Sequence, residues 1–440
     1  MDQHLRPIAL LVTLALAAAP IACADGSDPN GRAGDCSSCG ADDAAMDATS
    51  VEASTDGSMD GTSDDAHDAK TSEVASETSG DGGADASSGD AHDPSTTTPY
   101  GTWHAIAKPP FGFVHPMQVW TGTEALFCDQ SSGAAYDPVA DRWRDLSIPL
   151  APRSAISTAW TGSKIFVYVM SSLPAFTETY LFDPATKKFA DTSLTGRPEL
   201  RSHPLVVWAG DRIIVMGGSS EGPFDGAQYD PTADLWTPLP TTGAPTTGVP
   251  TTTNGAIALW TGSEVLVWGG CSAMASSCVN GWLYSPSKGT WRAMSTVGAM
   301  LPTSGFAHAW TGSTLFVWGG ELATLGGLVD GSGGGAYSLA TDSWTTLPST
   351  SILSPRTDAF GAWTANEFVV WSGWSSTIEA DRLDGARWDP ALGVWKTMSI
   401  DHAPACDSGG SVWTGDELVV VCGQSGGTAI PAAAAMAWKP

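Results

Sequence analysis

Short apolar runs separated by turn residues recur along the chain from residue 99 onward. The clearest copy is Leu259 to Gly270 (LWTGSEVLVWGG), in which a Trp precedes a Thr-Gly turn and the continuous apolar run Val265 to Trp268. Gly accepts the positive φ of a tight hairpin turn. An apolar run of this length between turn signals fits a strand buried on both faces. The block therefore predicts a β-hairpin, whose strands we name a and b.

A second hairpin, with strands c and d, follows each block after a connection of variable length. It begins at an aromatic residue that Asp-Pro usually follows, a pair that opens a type I turn. A second aromatic residue always comes seven positions later. The pairs are Tyr136/Trp143, Phe182/Phe189, Tyr229/Trp236, Tyr284/Trp291, Tyr337/Trp344 and Trp388/Trp395. The constant length of this hairpin indicates that it belongs to the scaffold. The variable length of the b–c loop indicates that it lies on the surface.

The four-strand unit occurs seven times. The Trp that ends strand a recurs at Trp120, Trp160, Trp208, Trp260, Trp310, Trp363 and Trp413, with a mean step of about 49 residues. A period of this length indicates a solenoid, propeller or array. With its Gly-Gly, Tyr and spaced Trp residues, the unit resembles the kelch repeat over residues 99–440. The resemblance implies an all-β, seven-bladed β-propeller of four-stranded blades.

The last blade needs a strand from elsewhere in the chain. Trp438 begins a seventh c strand, but no d strand follows it. Trp103 stands alone near the start of the repeats, and Ile106 follows it at the spacing seen after the other d-strand Trp residues. We therefore predict that the N-terminal segment supplies strand d and closes the ring, which removes an exposed sheet edge. The Trp residues are interpreted as packing between blades.

Residues 1–23 have the pattern of an export signal. Arg6 precedes the apolar run Ile8 to Ala19, which is too short to span a membrane. The ending Ile21-Ala22-Cys23 resembles a bacterial lipobox, which implies that Cys23 is acylated. The alternative is an ordinary signal peptide cut nearby. Ala24 after the Cys favours the outer membrane by analogy with Gram-negative sorting.

Residues 24–98 are predicted to form a disordered tether. They contain no aromatic residue, and 18 acidic residues face only Arg32 and Lys70, a net charge of −16. Such a segment cannot bury enough apolar surface to order itself. Its random-coil reach is roughly 45–55 Å, enough to hold a domain clear of a membrane.

The whole chain carries a net charge of −27. This acidity argues against nucleic-acid binding. We also expect the protein to contact the membrane only through its lipid and to be a monomer. Export allows disulfides, for which the candidate pairs are Cys36/Cys39, Cys271/Cys278 and Cys406/Cys422. Cys128 remains, and we expect it to be buried and unreactive.

Candidate chemistry is sparse. The sequence shows no Ser-His-Asp order, phosphate loop or zinc-type spacing, so no catalytic residue, metal or cofactor is predicted. Kelch-like copper oxidases need a Cys-Tyr pair and converging His ligands. Here Tyr is scarce, His115 and His203 share one position of the repeat, and His308 is out of register with them.

The candidate ligand-binding residues lie just before strand a. Arg153, Arg201 and Arg356 each stand seven residues before the a-strand Trp, with His203 and Asp358 close by. By the resemblance, this end of the ring, with its d–a and b–c loops, is the usual binding face. Three guanidinium groups there could bind a carboxylate or phosphate. Alternatively, each Arg bonds a neighbouring backbone or a carboxylate such as Asp358. The variable loops Glu321 to Ala336 and Cys271 to Asn280 belong to the same face.

Two functions are therefore expected. The first is a tethered binding propeller that recognises an envelope protein or glycan through this face. The alternative is a carbohydrate-active enzyme of the kelch-oxidase or sugar-epimerase kind, which would need acid, base or metal ligands converging in the channel.

Overall fold

The repeats fold into four-stranded antiparallel sheets. The computed structural model describes residues 100–440 except 114–115, 130–131, 149–154, 173–174, 202, 219–223, 246–254, 271–280, 301–303, 325–326, 405–407 and 426–427. In these residues the chain forms seven four-stranded sheets, which are the blades, and two further two-stranded hairpins. The predicted seven-bladed all-β propeller is confirmed. No helix in this part of the chain is long and apolar enough to cross a membrane. The predicted signal and tether lie outside the described residues.

Blades 1 to 4 each use four consecutive strands, in the order a, b, c and d. Blade 1 contains β2 (Met117–Trp120), β3 (Ala125–Cys128), β4 (Gly133–Asp137) and β5 (Arg142–Asp145). Blade 2 contains β6 (Ala155–Trp160), β7 (Ile165–Ser172), β8 (Ala175–Asp183) and β9 (Lys188–Asp191). Blade 3 contains β10 (Leu205–Trp208), β11 (Ile213–Met216), β12 (Gly226–Asp230) and β13 (Leu235–Pro238). Blade 4 contains β14 (Ala256–Trp260), β15 (Val265–Gly269), β16 (Trp282–Ser285) and β17 (Thr290–Ala293).

Blades 5 and 6 each carry an additional hairpin between strands b and c. Blade 5 contains β18 (Ala307–Trp310), β19 (Thr314–Trp318), β22 (Gly334–Ser338) and β23 (Ser343–Leu347), with hairpin β20 (Glu321–Thr324) and β21 (Gly327–Asp330). Blade 6 contains β24 (Phe360–Trp363), β25 (Phe368–Trp371), β28 (Gly385–Asp389) and β29 (Val394–Thr397), with hairpin β26 (Trp374–Ser375) and β27 (Ala380–Asp381). Blade 7 contains β30 (Ser408–Trp413), β31 (Leu418–Ser425), β32 (Thr428–Lys439) and, as strand d, β1 (Thr102–Ala105).

The ring closes as the sequence predicts. β1 pairs antiparallel with β32, and Trp103 lies opposite Trp438. The a strands contact the a strands of neighbouring blades, and β30 contacts β2 across the closure. The a strands are therefore innermost. The b strands, such as β15 and β25, are buried along their whole length, which accounts for their continuous apolar runs.

The aromatic pairs spaced by seven residues join one blade to the next. The two members lie opposite each other on strands c and d, as Tyr136 and Trp143 do in blade 1. Among the described residues, four d-strand indoles donate hydrogen bonds to carbonyl groups at the end of the preceding blade's d strand. These bonds are Trp103 to Ser399 (2.9 Å), Trp143 to Ala107 (2.6 Å), Trp291 to Pro240 (3.0 Å) and Trp395 to Pro348 (3.0 Å). Trp236 instead donates to the Thr192 hydroxyl (3.4 Å). Packing between blades is thus the role of these Trp residues.

A Tyr–Asp pair adds a second link in blades 1, 3 and 5. In blade 3 the Tyr229 hydroxyl donates to Asp234 (2.7 Å), and Asp234 also accepts from the amide of Ser193 in blade 2 (2.7 Å). Asp234 has a left-handed φ of 50°, a conformation that Asp tolerates better than most residues. In blade 4, Gly289 occupies the same position with φ 63°, and the buried hydroxyl of Tyr284 has no hydrogen-bond partner.

Tyr229→Phe should lower the free energy of unfolding by about 1 kcal/mol, because Asp234 loses a donated hydrogen bond. That bond, followed by the Ser193 amide, holds the pKa of Asp234 below its usual range. A lowered carboxyl pKa stabilises the fold above the unfolded-state pKa, and this contribution is lost as the pH falls through the folded-state pKa. The difference between the two proteins should therefore shrink below about pH 4.

Urea unfolding at pH 7 and pH 3 measures this effect. Tyr284→Phe is the matched control, since it removes a hydroxyl that has no partner. An equal loss of stability in both variants would show that the Tyr–Asp link does not join the blades.

Candidate functional site

The d–a and b–c connections lie at one end of each blade, which we call the loop face. In blade 3 the register places Leu205, at the start of strand a, opposite Met216, which lies opposite Gly226 at the start of strand c. The a–b and c–d turns lie at the other end, the turn face. The candidate residues before strand a are thus placed on the loop face.

Arg201 is buried at the loop face and bonds to its own blade. Its Nη1 donates to the carbonyl oxygen of Gly217 (2.9 Å) and to Oδ1 of Asp225 (2.8 Å). Gly217 directly follows strand b and Asp225 directly precedes strand c. The guanidinium group therefore holds the two ends of the b–c loop together, and only 7% of its side chain is exposed.

Arg356 repeats this arrangement in blade 6. Its Nη1 donates to the carbonyls of Ser372 (3.1 Å) and Asp384 (2.9 Å), and its Nη2 donates to Oδ2 of Asp384 (2.9 Å). The side chain is 0% exposed, and burial lowers its pKa although Asp384 opposes the shift. The Nη1 of Arg201 and the guanidinium nitrogens of Arg356 thus donate to protein atoms, while the buried Nε of Arg201 has no partner. These bonds favour the structural interpretation of this position. Arg153 lies outside the described residues.

The expected carboxylate partner was Asp358, whereas the structure shows Asp225 and Asp384. The signal in the sequence is an Asp directly before the first Gly of strand c, in Asp225-Gly226 and Asp384-Gly385. Blades 3 and 6 have both this Asp and the Arg that precedes strand a, and in each of them the two side chains form an ion pair.

His203 and Asp358 share a position at the inner rim of the loop face, but the structure does not bring them together. Their φ angles of 50° and 54° match those of Gly255 (80°) and Gly305 (67°) at the equivalent positions. The amide of Asp358 in blade 6 donates to the carbonyl of Gly305 in blade 5 (2.6 Å). Residues at this repeat position therefore join these two neighbouring blades. His203 in blade 3 and Asp358 in blade 6 are separated by two blades, and both are exposed. In blades 3 to 6 this position therefore has a left-handed backbone. His115 lies outside the described residues.

The additional hairpins of blades 5 and 6 form a continuous part of the loop face. The amide of Gly320 in blade 5 donates to the Arg356 carbonyl of blade 6 (2.9 Å), and the amide of Ser376 in blade 6 donates to Oδ2 of Asp330 in blade 5 (2.7 Å). Within blade 6, the backbone groups of Thr357 and Trp374 bond each other (2.9 and 2.8 Å). Three aliphatic residues of these segments are exposed: Val329 (44%), Ile378 (53%) and Leu383 (53%). The blade 5 hairpin lies in the variable loop that the sequence indicated. The blade 6 hairpin was missed, and only the long interval between Gly373 and Gly385 signals it.

The cysteines have two environments in the described part of the chain. Cys128 is free and 5% exposed, and burial raises the pKa of its thiol, so the expectation of a buried thiol is confirmed. Cys422 is disulfide-bonded, while its predicted partner Cys406 lies outside the described residues. Cys36, Cys39, Cys271 and Cys278 lie there too, and those pairings stay predictions.

On the turn face, a Glu of the a–b turn pairs with a cation one residue after the d-strand Trp. These pairs are Glu124 with Arg144 (2.7 Å), Glu264 with Arg292 (2.8 Å), Glu367 with Lys396 (2.9 Å) and Glu417 with His104 (3.4 Å). Blades without this Glu, with Lys164, Arg212 or Thr314 instead, also lack the cation. This covariation between repeats could have been read from the sequence.

Comparison with known proteins identifies the fold alone. No protein-family model matches the chain, and no curated protein sequence matches it. Among solved structures, a fungal alcohol oxidase of the AA5 family in complex with copper is similar to this chain, with a TM-score of 0.56 and 16% sequence identity. The similarity covers 77% of this chain and 76% of the oxidase.

The ligating side chains of this chain indicate whether it could hold copper. A copper centre needs several ligating side chains that converge on one point. In the part of the chain that the structure describes, no three His, Cys, Asp or Glu side chains are grouped to hold a metal ion. His308 lies on an innermost strand, where burial lowers its pKa, but no such group includes it. Among the described residues, the His, Cys, Asp and Glu side chains therefore do not assemble a copper site.

Proposed function

We propose that this chain is an exported, lipid-anchored binding propeller that recognises an envelope protein or glycan through its loop face. The linked hairpins of blades 5 and 6 carry the proposal. They present exposed Val329, Ile378 and Leu383. The Thr357–Trp374 bonds hold the blade 6 hairpin to its own blade, and the Gly320–Arg356 and Ser376–Asp330 bonds join it to blade 5. Exposed apolar side chains on a rigid base favour recognition of a partner, because little conformational entropy is lost on binding.

The charged groups of the loop face support binding rather than catalysis. Arg201 and Arg356 pair with Asp225 and Asp384, and these bonds hold the ends of b–c loops together. Catalytic groups would instead converge on a substrate. The repeats are proposed to be of the kelch type, from their Gly-Gly, Tyr and Trp residues.

The proposal includes anchoring and location. The lipobox-like ending places the lipid on Cys23, and residues 24–98 form the tether that carries the propeller away from the membrane, which we propose is the outer membrane. The protein acts as a monomer, contacts the membrane only through its lipid, and needs no cofactor or nucleic acid.

A carbohydrate-active enzyme is the second candidate function. The observation in its favour is the propeller fold shared with the copper-containing alcohol oxidase. It requires a ligand set that the described residues do not supply. Copper content and alcohol oxidation by the purified full chain, measured after copper loading, decide this alternative.

Replacing the three exposed aliphatic residues of the hairpins by Ser should abolish partner binding without unfolding the protein. The wild-type full chain is screened against envelope glycans and fractionated envelope proteins by biolayer interferometry. We expect one partner to bind saturably. Its affinity should fall at least about tenfold in the triple variant that carries Val329→Ser, Ile378→Ser and Leu383→Ser.

The turn face offers a matched control. Val139 and Leu392, in c–d turns, and Leu235, at the start of a d strand, are exposed aliphatic residues of this face (96%, 67% and 51%). Their replacement by Ser should leave the affinity unchanged. Equal loss in both variants would show that the binding surface lies elsewhere, and copper-dependent oxidation would replace the binding proposal with the enzyme.

A further inference from the structure

A cleft opens on the turn face where blade 7 meets blade 1. Its volume is about 670 Å³. We call it the seam cleft, and it is lined by Trp120, Gly122, Thr123, Glu124, Asp137, Pro138, Val139, Thr414, Asp416, Glu417 and Lys439. It lies at the opposite end of the ring from the hairpins of blades 5 and 6.

The topology of closure explains the position of the cleft. In blade 6 the c strand continues into a c–d turn, in which Asp389 accepts from the amides of Ala391 and Leu392 (2.9 and 3.0 Å). In blade 7 the d strand β1 comes from the other end of the propeller sequence, so no turn joins it to β32. Lys439 takes the place of Asp389 and lines the cleft. The seam cleft thus lies where a c–d turn would otherwise begin.

Carboxylates outnumber cations in the lining. Glu124 pairs with Arg144 and Asp416 with Lys439, both at 2.7 Å. Asp137 has Arg142 at 3.7 Å. Among the described residues, the fourth carboxylate, Glu417, forms an ion pair with the imidazole of His104 at 3.4 Å, and the charges of Lys439, Asp416 and Asp141 lie farther away.

Glu417 differs from its counterparts in the other blades. Glu124, Glu264 and Glu367 each face a permanently charged guanidinium or ammonium group. An imidazole carries a full charge only in acid. The Glu417 side chain is 13% exposed, and desolvation raises its pKa. This carboxylate therefore lacks the strong cationic partner that its repeat position has elsewhere.

The lining also supplies an aromatic wall. Trp120 ends strand β2 and is partly exposed in the cleft. An indole face attracts ammonium and guanidinium groups, and a cleft of this size exceeds the needs of a bare metal ion. In the part of the chain that is described, these carboxylates do not form a metal-ligating group.

We propose that the seam cleft binds an organic cation. Its ammonium or guanidinium group pairs with Glu417 and lies against Trp120. The cation is either a free small amine or a Lys or Arg side chain of a peptide. This site is independent of the proposed function, because it lies on the other face.

Calorimetric titration of the full chain at pH 7.5 tests the proposal with three probes. These are spermidine, the peptide acetyl-Gly-Lys-Gly-amide, and its neutral analogue with norleucine in place of Lys. We expect saturable binding of spermidine or the Lys peptide and none of the norleucine peptide. Binding of spermidine alone identifies a free amine as the ligand class, and binding of the Lys peptide identifies a side chain.

Two variants with matched controls locate the site. Glu417→Gln should weaken binding about tenfold, whereas Glu264→Gln, at the same position in blade 4, should not. Val139→Lys places an ammonium group at the rim of the cleft. This group should compete with the added cation and weaken its binding about as much as Glu417→Gln does. Thr232→Lys, the equivalent change in blade 3, should have no effect.

Near-UV circular dichroism confirms that each variant is folded. The proposal is overturned if neither cation binds, if the norleucine peptide binds equally, or if the two blade controls weaken binding as much as the cleft variants. The last result would show non-specific attraction to an acidic protein.

Discussion

Replacing Arg356 by Met should lower the free energy of unfolding by about 1–3 kcal/mol. The guanidinium group is fully buried, and it satisfies the carbonyls of Ser372 and Asp384 together with the Asp384 carboxylate. Met fills a similar volume but removes these donated hydrogen bonds. The Asp384 carbonyl keeps the amide of Ser372 as a donor (3.1 Å), and the Asp384 side chain is 39% exposed, so the cost is that of the lost hydrogen bonds and not of a buried unpaired charge. Urea unfolding at neutral pH measures the loss.

The control is Arg142→Met, because the Arg142 side chain is 75% exposed and lies 3.7 Å from Asp137. Its effect should stay within about 0.5 kcal/mol. A small effect of Arg356→Met, comparable with the control, would contradict the structural role and return this position to the ligand-binding interpretation.

Trp103→Ala should destabilise the propeller by about 3–5 kcal/mol. The indole is 5% exposed, lies 4.5 Å from the ring centroid of Trp371 in blade 6, and donates to the Ser399 carbonyl. Truncation removes packing on both sides of the joint between blades 6 and 7. Thermal and urea unfolding of the full chain report the change.

Leu392→Ala provides the comparison, since this residue is 67% exposed on a c–d turn and should change stability little. If Trp103→Ala were equally mild, β1 would contribute little to ring closure. Loss of β1 alone would appear as a first transition before the main one.

Much of the fold could be predicted because the seven repeats share one sequence pattern. The spacing from Tyr229 to Trp236 recurs in six blades, and the lone Trp103 fits the one missing strand. A pattern that packing imposes on every copy is visible without an alignment. The hairpin β26–β27 could not be predicted, because it occurs once and contains only short strands.

The candidate site was harder to predict than the scaffold. The position of Arg201 and Arg356 on the loop face was predicted correctly, but periodicity does not show where a side chain points. Their carboxylate partners, Asp225 and Asp384, are adjacent only through antiparallel pairing of strands a, b and c. The significance of Glu417 appears only when its His104 partner is compared with the Arg and Lys partners of other blades.

The pairing of β1 with β32 also sets the order in which the chain can fold. Blades 1 to 6 are each built from one continuous segment, so each can form soon after synthesis. Blade 7 pairs Trp103 with Trp438, 335 positions later in the chain (438 − 103). Such distant contacts make folding slow. Until β32 is made, β1 is an unpaired strand on an open ring, and this interval is when the chain is most open to pairing with a second copy.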